Sequence, residues 1–131
     1  MAKSLSYEGL QKGVRKLKTP KIEVWRNQYA DKDYIVALEN PEFTCVCPKT
    51  GLPDFANITI QYRPDKWCVE LKSFKLYMLS YRGIGIFHEH VVNKVLDDLV
   101  ASCKPRWLYI KGEFNVRGGI KTTVTAEYKR S

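Results

Sequence analysis

The sequence predicts an α+β fold in the order ββααββ, a four-stranded antiparallel sheet with two helices on one face. Three observations predict it. Residues 56–62 alternate, with Ile58, Ile60 and Tyr62 on one side and Asn57, Thr59 and Gln61 on the other, as a half-buried strand requires. Residues 87–103 carry Val91, Val92, Val95, Leu96, Leu99 and Val100 as one apolar stripe, opposed by His90, Asn93, Lys94, Asp97 and Asp98. Residues 107–128 place β-branched and aromatic residues on both sides of Arg117-Gly118-Gly119, the pattern of two strands joined by a glycine turn.

The remaining elements follow in order. Residues 1–28 hold seven Lys or Arg against two acids and read as a basic leader, either a solvated tail or an attractor of phosphates. The domain proper is then 29–131. Tyr34 to Glu39 is a short apolar run with strand character, followed by a loop marked by Asn40-Pro41, Pro48, Gly51 and Pro53. Between the strand ending at Pro64-Asp65 and the second helix, Phe74, Met78 and Tyr81 recur at helical spacing within 72–82, and Gly83 and Gly85 break that helix. Pro105 closes the second helix. Short loops make the strands antiparallel, and a sheet this small leaves a face and edges to cover, which predicts a homo-oligomer.

The chain has 131 residues and a net charge of +8, the size of one domain. Its longest apolar run, Tyr34 to Leu38, is far below the roughly 20 residues of a membrane span, so a cytosolic protein is expected. In that compartment Cys45, Cys47, Cys68 and Cys103 stay reduced. Cys45-x-Cys47 and His88-x-His90 offer zinc ligands by type. On a helix, however, residues two apart point about 200° from each other, which argues against a shared ion. No metal is expected.

Cys47 lies in a loop with a cation two residues on, and reads either as a small buried hydrophobe or as a nucleophile whose thiolate a nearby charge favours. Asp54, seven residues later, is either a turn residue or a proton donor facing that sulfur. Glu70 and Glu89 stand at helix starts, as dipole partners or as acceptors for an N–H and NH₂ edge of the guanine kind. His88 falls on the apolar side of its helix. Gly83-x-Gly85 lacks the third glycine and preceding strand of a dinucleotide fingerprint.

Glu70-Leu71-Lys72-Ser73-Phe74-Lys75-Leu76-Tyr77 matches all eight signature positions of the NADPH-dependent 7-cyano-7-deazaguanine reductases, the nitrile reductases of queuosine biosynthesis. Residues 43–55, with Cys47-Pro48-Lys49-Thr50-Gly51 and Pro53-Asp54-Phe55, resemble the family's nucleophile loop. Phe87-His88-Glu89 and Arg117-Gly118-Gly119 are similar to its two later motifs. The resemblance runs from about Tyr34 to Tyr128 and is to the short, single-module branch. It implies the tunnelling fold, assembled into rings with active sites between subunits, here a decamer of two pentamers. It also implies reduction of the 7-cyano base to the 7-aminomethyl base with two NADPH per turnover. The implied roles are Cys47 as the thioimide-forming nucleophile, Asp54 as proton donor, and His88 near the reacting carbon. Glu70 and Glu89 would hold the deazaguanine edge, with Val69 and Leu71 adding contacts, and Lys72, Lys75 and Arg117 would meet cofactor phosphates.

Leu52 stands where that loop usually has glutamine, and His90-Val91 where some members carry an acid and a cysteine. The second departure removes a partner for a protective disulfide, so Cys47 is expected to be more open to oxidation. Two other readings compete. A tunnelling-fold cyclohydrolase or pterin enzyme would need a metal-activated water, and an RNA-binding module working through the leader would bind in a steeply salt-dependent way.

Overall fold

A computed structural model describes residues 7–131. Its main sheet has four strands, β2 (Val36–Val46), β3 (Pro53–Arg63), β5 (Trp107–Arg117) and β6 (Ile120–Lys129), in that spatial order and all antiparallel. Two helices, α2 (Leu71–Leu79) and α3 (His88–Cys103), fall between β3 and β5 in the chain, as expected. The alternation of β3 continues in β5. Ala56, Ile58, Ile60 and Tyr62 pack inward beside Leu108, Ile110 and Phe114, joining Val91, Val92, Val95 and Leu99 of α3 in one core.

Residue choice explains how closely α3 approaches. Gly112 faces the helix, and a Cβ built there would lie 2.7 Å from Val92 Cγ2, so only glycine lets helix and strand come this near. At the helix end Lys104 adopts φ 46 and donates its N–H to the Val100 carbonyl at 2.9 Å, a left-handed cap ahead of Pro105.

Three features differ from the sequence reading. The stretch 40–46, expected as loop, is strand: β2 runs on to Val46, with a register shift between Asn40 and Phe43. Pro41, which has no N–H to give, is accommodated by that bulge on an edge strand. The first long helix ends at Leu79 and tightens into a 3-10 turn, Ser80–Gly83.

The third difference concerns the leader. Its described part starts with α1 (Tyr7–Gln11) and a 3-10 turn at Val14–Lys16, and it ends in β1 (Val24–Arg26), which pairs with β4 (Trp67–Val69). Ile22 is buried in the core, Glu23 accepts from Glu70 N–H at 2.9 Å, and its own N–H donates to Ser73 Oγ at 2.8 Å. Residues 22–27 are therefore stitched to the domain. Three-residue strands carry too little periodicity to be read from sequence.

One junction places the chemistry. Val46 N–H donates to the Ile84 carbonyl and Ile86 N–H to the Val46 carbonyl, both at 3.0 Å, tying the end of β2 to the approach to α3. His88 is thereby carried to the turn that holds Cys47. The β5–β6 hairpin closes through Gly118 and Gly119 at φ 59 and 80, the left-handed pair that a two-residue hairpin turn demands, and it presents Arg117 at its tip.

Candidate functional site

The turn between β2 and β3 is built around Cys47. Its N–H donates to the Leu52 carbonyl and its own carbonyl accepts from Gly51 N–H, each at 2.8 Å, with Gly51 at φ 76 making the reversal possible. The half-buried sulfur then sits inside the curl. Burial pushes its pKa up, but hydrogen bonds from the Thr50 hydroxyl and from the backbone of Thr50 and Lys49 outweigh that and leave the thiol below its ordinary value. Cys45, two residues earlier on β2, is sealed in the core, and burial pushes its thiol up to about 12.

Asp54, the second residue of β3, is buried by the same alternation that buries Ala56. One carboxylate oxygen lies 3.1 Å from His88 Nε2 and the other 3.4 Å from an Arg117 guanidinium nitrogen, which also donates to the Pro53 carbonyl at 3.0 Å. The His88 ring stacks on Phe114, with centroids 3.8 Å apart and planes 8° from parallel. These groups open onto one cavity of about 300 Å³, lined by Cys47, Pro48, Thr50, Asp54, Phe87, His88, Glu89 and Arg117.

Of the residues singled out in the sequence, the fold brings Cys47, Asp54, His88, Glu89 and Arg117 to this cavity. Val69, Glu70, Leu71, Lys72 and Lys75 are not among its lining residues. Val69 is buried and donates its N–H to Tyr62 Oη at 3.0 Å. Glu70 caps α2, accepting from Ser73 N–H at 2.7 Å and Lys72 N–H at 2.9 Å, and those backbone bonds hold its carboxyl below the usual range. Leu71 and Lys75 border a separate cleft between α2 and β2. Lys72 and Lys75 are solvent-exposed and three apart on α2, placements that suit an anionic ligand.

Two members of the site escaped sequence reading. Phe114 carries no chemistry of its own and becomes legible only as the platform under His88. Thr50 lies three residues from Cys47, a spacing within reach for a hydroxyl in a tight turn. Among the described residues, no three or more His, Cys, Asp or Glu side chains gather as metal ligands; His88 turns to Asp54, and His90 packs edge-on to Phe87. No described helix is long and apolar enough to cross a membrane.

A family model described as QueF-like protein matches residues 53–131. An NADPH-dependent 7-cyano-7-deazaguanine reductase of Chlorobaculum tepidum is 57% identical, over 84% of this chain and 94% of its own length. Proteins of the same description from Nitrosococcus oceani and Chloroherpeton thalassium are each 57% identical, over 83% and 86% of this chain and 84% and 97% of their own. Among solved structures, the apo form of the archaeosine synthase QueF-Like superposes with a TM-score of 0.68 at 25% identity, covering 74% of this chain and 95% of that one.

Proposed function

The chain belongs to the NADPH-dependent 7-cyano-7-deazaguanine reductases, and from that premise we propose that the Cys47 cavity is where it reduces the nitrile of 7-cyano-7-deazaguanine to the aminomethyl group. The observation that carries this reading is the meeting of a thiol of lowered pKa with a buried carboxylate and a histidine in one cavity.

Cys47 sulfur adds to the nitrile carbon, so that a C–S bond forms while one C–N π bond breaks. The proton leaving the thiol reaches the nitrile nitrogen through Asp54, and the product is a neutral thioimide on Cys47. NADPH, when bound, supplies a hydride to the thioimide carbon and a second to the imine carbon. Between those events Cys47 departs as thiolate, regenerating the free sulfur and leaving the imine. Each hydride is matched by a proton at nitrogen, and His88, hydrogen-bonded to Asp54, is placed to pass such protons inward.

Glu89 on the cavity wall accepts from the guanine-like edge of the base, and Glu70 is its counterpart, with Val69 and Leu71 beside it. Because Glu70 lies off the cavity of its own chain, we propose that a neighbouring copy brings it there. Exposed Leu71, Leu76 and Leu79 on α2 and the place of β2 and β6 at the two edges of the sheet support a homo-oligomer, the decamer of two pentamers implied by the resemblance. Lys72, Lys75 and Arg117 are the cations that would meet the NADPH phosphates. We place the enzyme in the cytoplasm, in queuosine biosynthesis, with no direct binding of nucleic acid required.

The test is mass spectrometry of the protein mixed with the cyano base and no NADPH. One added substrate mass on the Cys47 peptide is expected, and Cys47→Ala removes both adduct and turnover. Normal turnover by the alanine variant would overturn the mechanism.

A further inference from the structure

The basic leader has so far no part in the site, although Tyr7, the first of its described residues, lies beside it. Tyr7, in α1, packs against Phe87, with ring centroids 6.1 Å apart. The Lys49 ammonium lies over the same ring, 4.9 Å from its centroid. Phe87 lines the cavity and directly precedes His88, whereas Lys49 belongs to the turn whose backbone hydrogen-bonds the Cys47 sulfur. One exposed tyrosine therefore touches both walls of the cavity, the nucleophile turn and the start of α3.

Its own support lies further along the leader. Gly13 at φ 78 reverses the chain after α1, Val14 and Leu17 pack on the core, and Arg15 pairs with Asp97 of α3 at 3.7 Å. The leader is thus laid along α3 and delivers Tyr7 to the cavity rim. The turn is held by its own hydrogen bonds, and its tip is open to solvent, with Leu52 exposed and Gly51 in the left-handed region.

We propose that Tyr7 is a positioning residue for the reductase site, a ring in contact with both Lys49 and Phe87 that sets the Cys47 turn against His88 and Glu89 more finely than the Val46 hydrogen bonds alone. This rests on the assignment of the cavity as the nitrile-reducing site. The leader is then a brace for catalysis, and the ring, rather than the phenol hydroxyl, is what acts. The segment lies outside the part of the chain that the family model matches, residues 53–131.

The experiment is the rate of thioimide formation on the full chain without NADPH, for the unaltered protein, Tyr7→Ala and Tyr7→Phe, with melting temperatures alongside. Misplacing a reacting group by about 1 Å can cost about 10²-fold in rate, and a smaller displacement correspondingly less. Tyr7→Ala is therefore expected to form the adduct about tenfold more slowly and to need more cyano base for its half-maximal rate. Tyr7→Phe should restore the unaltered rate. Melting temperature should not move, since α1 buries no residue. An unchanged rate in Tyr7→Ala, a Tyr7→Phe as slow as the alanine variant, or a slowed rate with a lowered melting temperature would each overturn the positioning role. Absence of any adduct in the unaltered protein would instead sink the assignment of the cavity, so the two failures are distinguishable.

Discussion

Cys47 and Cys45 are two residues apart, yet burial pushes the Cys45 thiol up to about 12 while the hydrogen bonds of the turn bring Cys47 below its ordinary value. Cys103, sealed against the sheet, is also pushed up to about 12. Brief iodoacetamide treatment of the native protein, read by peptide mass spectrometry, should therefore label Cys47 well ahead of Cys45 and Cys103. The labelling rate should rise with pH through a midpoint below that of an ordinary thiol. Thr50→Val removes one donor to the sulfur and should move that midpoint to higher pH. Asp54→Asn keeps the size of the side chain while removing its exchangeable acid proton, so binding of the cyano base should survive and turnover fall about 10²-fold or more. The residues that meet in this cavity, Cys47, Asp54, His88 and Glu89, to which this chemistry is proposed to fall, were legible because they sit in compact motifs. The contact of Arg117 with Asp54 was not, because it joins positions 63 apart through the register of β3 against β5, and the sequence reading gave Arg117 to the cofactor alone.

Among the elements, the contact of α3 with β5 is the tightest constraint. Gly112→Ala forces a methyl group against Val92 Cγ2 and should destabilise the fold by about 1–3 kcal/mol in chemical denaturation. Adding Val92→Ala should return part of that loss, since it removes the atom that clashes. The order of the long elements could be read from periodicity, because strands of 10 and 11 residues and a 16-residue helix repeat their pattern several times over. Two kinds of element resisted. The pair β1–β4 has three residues in each strand and is held by contacts between distant parts of the chain. The second half of β2 is rich in turn formers, and its pairing with β3 overrides them by absorbing Pro41 in a bulge.

At the scale of the whole molecule, Asp65 joins three separate stretches. Its carboxylate accepts from Arg130 at 2.6 Å and Arg106 at 3.3 Å, and Arg106 also reaches the Ala30 and Lys32 carbonyls. The Arg130 hydrogen bond is the largest of the influences that hold the Asp65 carboxyl below its usual range. A lowered folded pKa contributes stability above the unfolded value of about 3.9, and that contribution disappears as pH falls through the folded one. Asp65→Asn should accordingly melt below the unaltered protein at pH 7, with the gap closing below about pH 4. The proposed sharing of sites between copies has its own test. Co-expressing Cys47→Ala with Glu70→Gln chains, where glutamine still offers α2 an acceptor oxygen, should yield activity that neither variant shows alone. The Glu70 carboxylate also faces a competition, because the amides at the start of its own helix already hold both of its oxygens. A recognition group spoken for at home and delivered to a neighbour ties output per molecule to abundance, so specific activity should decline on dilution even though every chain stays folded.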